Sequence, residues 1–395
     1  MHLGTDWLAN PPVARMHAEL AARGSRLFVV GGHVRDAILG QPSQDVDFAT
    51  DALPDRVIEV AEGLGYDVLL HGREFGSVIL IADDCQRLDI TTFRKDIQTD
   101  GRHATVVHTT DMAFDAHRRD FTINALYLDD TGRVHDPTGD GLRDLAVKRV
   151  RFVGQPAWRI HEDSLRILRF FRFNGRFGNP RTRFDKAALQ AIRNCDKERL
   201  AALSGYRVTN EMLHIMQLPD PVTALNAMQD ASVLAIFFPE VDLPCLKRLV
   251  VMQQKWTSPS PELARLHLLG PPAPFQRIEV PRRVGSTLTA IDQALDHPHP
   301  IESAACHLDR SAVIAVAQLQ AALSGTCPPA DLEHRIRAGD AARFPLSAAD
   351  IIPRVQTEAI GQTLNELRER WIASRFVLTK AELLAQLDDP QPGQA

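Results

Sequence analysis

Three aspartates and a glycine pair define the chemistry that this sequence can carry. Gly31-Gly32-His33-Val34-Arg35-Asp36 is followed by Asp45-Val46-Asp47, and Asp89 lies in a later apolar alternation. Leu27-Phe28-Val29-Val30 reads as a buried strand that the glycines end in a turn, where backbone N–H groups approach phosphate. Asp45 to Thr50 reads as a second strand, whose period of two sets Asp45 and Asp47 on one face and Val46 and Phe48 on the other. Arg87 to Arg94 reads as a half-buried strand with Asp89 on the face opposite Leu88 and Ile90. An isolated Asp-x-Asp is most often a solvated turn. A third acid on a neighbouring strand outweighs that, because three carboxylates in one cleft repel one another unless metal joins them. Paired hard oxygen ligands beside a phosphate-binding turn suit two-Mg²⁺ phosphoryl transfer, with Asp45 and Asp47 as the ligands.

Two further segments add polar side chains at useful spacing. Arg118-Arg119-Asp120-Phe121-Thr122-Ile123-Asn124-Ala125 reads as a short helix opened by its charged residues. The bland alternative is a capped helix with a surface ion pair. The functional one sets Arg119 on a triphosphate, and Asp120 and Asn124 on ribose hydroxyls, which both donate and accept. A helix beginning near Glu162 carries Glu162, Asp163, Arg166, Arg169, Arg172 and Arg176, with Leu165, Leu168 and Phe171 as a separate apolar stripe. Spacings of three put Asp163, Arg166 and Arg169 on one side. An ordinary Glu162–Arg166 pair is worth roughly 0.3–0.5 kcal/mol and does not explain the other arginines. A carboxylate accepts from the exocyclic amino group of cytosine or adenine while an arginine donates to the adjacent ring nitrogen. Uracil and guanine present a carbonyl to the same acid and are refused.

The elements that position these residues follow from apolar patterning. Residues 11–24 read as an opening helix; strands are expected at 27–30, 45–50, 77–82 and 87–93, and a helix at 55–63. Leu126 to His135 reads as a hairpin turning at Asp129 to Gly132, and Asp136-Pro137-Thr138-Gly139-Asp140-Gly141 as a hinge loop. From about residue 159 the pattern is helical, broken by prolines near 219–221, 271–274, 298–300 and 328–329.

These motifs, taken in order, resemble the class II nucleotidyltransferases, the family of the tRNA CCA-adding enzymes and the bacterial poly(A) polymerases. The resemblance is dense from about residue 26 to 178, thinner to about 215 and faint near the C-terminus. It implies an α+β fold: a polymerase-beta-like nucleotidyltransferase head over 1–145, a helical neck with the nucleotide-recognition helix over 146–215, and a helical body and tail over 216–395 that binds tRNA. It also implies untemplated addition or repair of the tRNA 3′-terminal CCA from CTP and ATP. A bacterial poly(A) polymerase, or an enzyme adding only CC or only A, is the alternative. Poly(A) polymerases of this type usually extend into a strongly basic C-terminal segment, whereas this sequence ends in a short acidic one.

The family's roles carry over residue by residue. Asp45 and Asp47 would hold Mg²⁺ and Asp89 would help activate the RNA 3′-OH. Gly32, Arg35 and Arg119 would grip the triphosphate, with Gly31 shaping the turn and Asp36 orienting Arg35. Asp120 and Asn124 would meet the ribose, and Glu162, Asp163, Arg166, Arg169 and Arg172 the nucleotide. The sequence departs from the family at three places. Asp140 stands between two glycines of the hinge, Tyr206 stands where a Glu is usual, and no Gly-Pro-rich stretch separates Phe344-Pro345-Leu346-Ser347 from Trp371-Ile372.

Composition narrows the setting. At 395 residues two or three domains are expected. No run of 18 apolar residues could span a membrane, and the N-terminus lacks a signal-peptide pattern. Five scattered cysteines, never in Cys-x-x-Cys spacing, argue against a disulfide framework or zinc site and suit the cytoplasm. Net charge is −5, yet Lys148, Arg149, Arg151, Arg159, Arg166, Arg169, Arg172, Arg176, Arg181 and Arg183 form a basic segment whose only acids are Glu162 and Asp163, a candidate polyanion track. Oligomeric state is open, with a monomer favoured.

Overall fold

Apolar alternation builds the N-terminal part of the chain around a sheet. The computed structural model describes residues 1–43, 45–70, 72–82, 85–99, 104–179, 184–256, 261–270, 282–297, 300–352 and 354–388. Arg181, Arg183, the expected break at 271–274, most of that at 298–300 and the tail from 389 lie outside them. Two compact units divide the chain: Met1–Leu218 with Thr223–Ile236, and Pro219–Val222 with Phe237–Ala395.

In the first unit a 3-10 turn (Asp6–Ala9) precedes α1 (Pro11–Ala22), β1 (Leu27–Val30), α2 (Gly32–Ile38), β2 (Asp47–Thr50), α3 (Pro54–Gly63) and β3 (Asp67–Leu69). β4 (Ser77–Ile81), β5 (Arg87–Thr92), β6 (Arg94–Thr99), β7 (Ala104–His108), α4 (Met112–His117), β8 (Tyr127–Leu128) and β9 (Val134–His135) follow. Among the described residues they form a seven-stranded sheet, ordered β3-β4-β5-β2-β1-β8-β9, and a separate β6–β7 hairpin. β2 and β5 run parallel, and every other pairing is antiparallel. Their register sets Asp47 beside Asp89. Phe28 stacks on Phe93, and Tyr127 meets both edge to face, in the core that α4 covers, with ring centroids 5.7–6.4 Å apart. The hairpin after β8 turns at Asp129, whose carbonyl accepts from Gly132 N–H at 3.1 Å, as the sequence predicts.

Helices follow: α5 (Gly141–Ala146), α6 (Pro156–Glu162), α7 (Leu165–Phe177), α8 (Lys186–Arg193), α9 (Lys197–Ala201) and α10 (Gly205–Met216). Phe121, Phe152, Phe170 and Phe173 interlock at 5.1–6.4 Å, so the Arg118–Ala125 segment and α7 share one core. The second unit is helical in its described residues, with a core of Leu346, Ile351, Leu367, Trp371, Ile372 and Leu383. Among the described residues no helix is long and apolar enough to cross a membrane.

Three local expectations are corrected. Asp45 lies outside β2: pairing with β1 ends at Val30 opposite Asp47, where β1 turns at Gly31 with φ +76°. Arg118 and Arg119 do not open a helix: they follow the end of α4, and only Thr122–Asn124 forms a 3-10 turn. Tertiary pairing overrides the local pattern there, since Thr122 N–H donates to Arg151 and Val153 N–H to Asp120. The expected helix from Glu162 is two helices. Asp163 breaks them with φ −151°, and its carboxylate accepts from Leu165 N–H at 3.0 Å to start α7. The sequence reading also missed β3, β6 and β7.

Candidate active site

One cleft of about 1010 Å³ gathers most of the expected residues. Gly31 and Gly32 come from the β1–α2 turn, Arg35 from α2, Asp47 from the start of β2 with Asp45 just before it, and Arg119, Asp120 and Asn124 from the segment after α4. Asp163, Arg166, Arg169, Arg172 and Arg176 line the same cleft from the α6–α7 break and from α7. Asp89 borders a neighbouring cavity that also touches Asp45 and Asp47. Glu162 is not among the lining residues but accepts from Arg166, which is.

Gly31 sets the shape of the turn. Gly31 sits at φ +76° and ψ −123°, a conformation that side-chain-bearing residues avoid, while its N–H donates to Leu126 O at 3.1 Å. Arg35 is buried beneath it. It donates to Asp36 at 2.8 Å and to Asn124 Oδ1 at 2.6 Å, and lies 4.0 Å from the centroid of Phe177. Burial lowers the Arg35 pKa and Asp36 opposes that shift.

Asp47 reaches water, yet the strands and cleft walls around it desolvate its carboxylate. That burial pushes its pKa up; Arg119 pulls it down, and Asp89 and Asp45 push it further up. Accumulated negative charge of this kind is what a divalent cation relieves. Among the described residues no three acidic, histidine or cysteine side chains close into a ready-made metal cage. Asp45 and Asp47 nonetheless fit Mg²⁺, which keeps open positions for water and substrate phosphates instead of demanding an all-protein cage.

Arg119 rests on a residue the sequence reading missed. Asp115 accepts from Arg119 at 3.0 Å, from Arg118 at 2.7 Å and from the Tyr127 hydroxyl at 2.6 Å. Burial alone would raise the Asp115 pKa, but the two guanidiniums and the tyrosine hold it at about 2. The signal was available: Asp115 precedes Arg118 and Arg119 by three and four residues at the end of a helix.

The arginines of α7 are fixed by acids from elsewhere in the fold. Arg169 donates to Asp120 at 2.8 and 2.6 Å, and Arg172 donates to Glu211 of α10 at 2.6 Å. Arg166 donates to Glu162 at 2.6 Å and to Arg118 O at 3.0 Å. Asp163 accepts from Arg207 of α10 at 2.6 Å, not from Arg166. Asp120 also accepts from Asn124 Nδ2 at 3.0 Å, so both expected ribose contacts are engaged within the protein. The polyanion track is corrected accordingly. Arg149 pairs with Asp185, Arg151 with Asp140 and Asp144, and Arg159 with Glu162, so these three serve the fold.

The departures at the hinge and neck have local explanations. Gly141 is obligatory, since a Cβ would lie 2.6 Å from Thr122 O, whereas Asp140 adopts φ −119° and bridges to Arg151 at 2.7 Å. Tyr206 is exposed beside Arg207.

Comparisons with known proteins converge on one family. Residues 27–151 match the Poly A polymerase head domain, and residues 183–243 match the probable RNA and SrmB-binding site of polymerase A. The mitochondrial CCA tRNA nucleotidyltransferase 1 of Danio rerio is 32% identical over 392 residues, covering 91% of this chain and 86% of that protein. The corresponding human protein is 42% identical over 190 residues, 48% of this chain and 43% of its own length. The Bacillus stearothermophilus CCA-adding enzyme in complex with CTP shares the fold, with a TM-score of 0.73, 24% identity and coverage of 96% and 97% of the two chains. From its head motifs to its helical remainder, this chain belongs to the tRNA nucleotidyltransferase/poly(A) polymerase family.

Proposed function

We propose that this chain adds or repairs the 3′-terminal CCA of tRNA, taking CTP and ATP in turn and releasing pyrophosphate without a nucleic-acid template. The observation that carries this is a single cleft lined by both Asp45 and Asp47 and by Asp163 and Arg166. It holds the groups for phosphoryl transfer together with a donor–acceptor pair suited to C and A. The similarity to a named CCA tRNA nucleotidyltransferase over 91% of this chain supports the same assignment.

In this scheme Gly32, Arg35 and Arg119 bind the triphosphate, and Asp45 and Asp47 hold Mg²⁺. When bound, the metal offsets phosphate charge and makes the acceptor hydroxyl more acidic. Asp89, one strand over from Asp47, takes the 3′-OH proton as the O3′–Pα bond forms and the bond to pyrophosphate breaks. Asp163 accepts from the exocyclic amino group and Arg166 donates to the ring nitrogen. Arg207 and Glu162 aim that pair, so Glu162 acts through Arg166. Arg169 and Arg172 complete the nucleotide wall, and Asp120 and Asn124 exchange internal bonds for the ribose. Residues 1–145 then supply catalysis, 146–215 the base reader, and 216–395 the tRNA grip. The free cysteines are in keeping with a cytoplasmic setting.

The test is single-nucleotide gel analysis of tRNA transcripts ending before CCA, after C and after CC, each with Mg²⁺ and CTP, ATP or both. Completion to CCA and no further is expected. Long A tails on any RNA would reassign the chain as a poly(A) polymerase, and a single permitted step as a CC-only or A-only enzyme.

A further inference from the structure

Asp47 at the start of β2 and Asp45 just before it border two cavities. The second, of about 780 Å³, is bounded by Asp45, Asp47 and Asp89 and, from the N-terminal segment and α2, by Trp7, Asn10 and His33. Asp45 and Asp47 border both cavities, whereas Asp89 borders only this one. The cleft arginines from 119 to 176 are absent from it; its one guanidinium is Arg87, paired with Asp89 at 2.9 Å. The two cavities therefore differ in chemistry, one built for a polyphosphate and the other not.

Three residues that line this cavity each carry a buried polar atom with no hydrogen-bond partner: Trp7 Nε1, Asn10 Oδ1 and His33 Nδ1. Unpaired polar atoms in a wall are costly, and the ones kept in native structures call for an explanation. An indole N–H donates, an amide oxygen accepts and an imidazole does either, so together they match a group that both donates and accepts, such as a hydroxyl. Phosphoryl transfer places the attacking and leaving oxygens in line across phosphorus. With pyrophosphate leaving into the arginine cleft, the attacking hydroxyl enters from the other side of Asp45 and Asp47.

We propose that the second cavity seats the 3′-terminal nucleoside of the acceptor RNA, with Trp7, Asn10 and His33 reading its ribose 2′-hydroxyl while its 3′-hydroxyl faces Asp89. This rests on the nucleotidyl-transfer reading above. Trp7 and Asn10 precede residue 27, where the match to the polymerase head begins, so that match assigns them no role.

Steady-state incorporation of C is measured on two tRNA acceptors, one ending in a ribonucleotide and one in the corresponding 2′-deoxynucleotide. The wild type should show about a fivefold higher KM for the deoxy acceptor, the size of one lost hydrogen bond. Asn10→Ala and Trp7→Phe should raise KM for the ribo acceptor by a similar factor, add no further penalty with the deoxy acceptor, and leave KM for CTP unchanged. An acceptor whose terminal residue is 4-thiouridine should photo-crosslink to the tryptic peptide ending at Arg15. Unchanged acceptor KM in both variants, penalties that multiply, or a crosslink elsewhere would overturn the inference while the wild-type activity stands. A wild type that extends no RNA would remove the functional reading and this inference with it.

Discussion

Arg169 on α7 holds Asp120 on the loop after α4 through two bonds, at 2.8 and 2.6 Å. Two side chains expected to meet the nucleotide are thus bound first to each other, and the pair ties α7 to the loop. Asp120→Ala leaves Arg169 beside Phe173 with its main counter-ion gone, and Arg169→Ala leaves a buried carboxylate. Each is expected to destabilise by about 2–3 kcal/mol, below the full value for a buried pair because the Arg169 side chain is 31% exposed. Urea unfolding of both single variants and the double variant measures this, and the double should cost less than the sum.

Asp45→Ala or Asp47→Ala should cut kcat for both CTP and ATP by at least about 100-fold, as stabilisation of phosphate charge is lost. RNA affinity, read by filter binding, should stay within about twofold, because neither residue belongs to the grip on RNA body or stem. Turnover equal to wild type would remove the metal assignment.

The same Asp47 should weaken the metal-free fold. Its pKa is raised in the folded state, so the unfolded chain loses this proton more readily. Its contribution is present below the unfolded carboxylate pKa and is lost as pH rises through the folded one. Asp47→Asn should therefore melt above wild type at pH 7 in EDTA. The gap should narrow as pH falls toward the ordinary carboxylate range, and close when Mg²⁺ is added. A calorimetric series over pH 4–8 checks all three.

Asp115 has the opposite sign. Held at about 2, its carboxylate contributes stability above the unfolded value of 3.8 that is lost as pH falls through about 2. Asp115→Asn should cost about 2 kcal/mol at pH 7, with the deficit shrinking in acid. It should also lower triphosphate affinity, because Arg119 loses its anchor. Denaturation at pH 7 and pH 3 separates this from a pH-independent packing defect.

Asp163→Ala and Arg166→Ala should relax base choice more than they weaken RNA binding, lowering discrimination against UTP and GTP by about 10- to 100-fold. Arg207→Ala should do the same in weaker form without touching a base, since Arg207 steers Asp163 from 2.6 Å. Competition assays with all four nucleotides measure it. Unchanged rejection of UTP and GTP would count against the base-reading pair.

Legibility in the sequence followed the range of the interaction. The strands at 27–30 and 87–92 and the hairpin at 127–135 carry their own alternation and turn residues, and they stand where expected. Asp89 beside Asp47 was legible only as a condition, because the parallel pairing is set by the sheet. The partners of the arginines were illegible for the same reason: Glu211 is 39 residues from Arg172, and Asp120 is 49 from Arg169. The break at Asp163 hid behind good helix formers on both sides. β6 and β7 were missed because charged residues in Arg94–Asp96 blur a two-residue period. Trp7, Asn10 and His33 belong to no spacing pattern; only folding brings them to one wall.

The cleft draws its walls from residues 31–47, 118–124 and 163–176, together with His214. Catalyst and base reader are thus two halves of one mould, cast together by the phenylalanines that join Phe121 to α7. Such a molecule is not modular at residue 145. A head expressed alone would keep its acids and lose the surface that names the base, and a grafted neck would bring a reader with nothing to hold still against. Exchange of specificity between relatives then has to transplant the seam, Asp120 and Phe121 with Arg169 and Phe173, and not merely the helix that carries the letters.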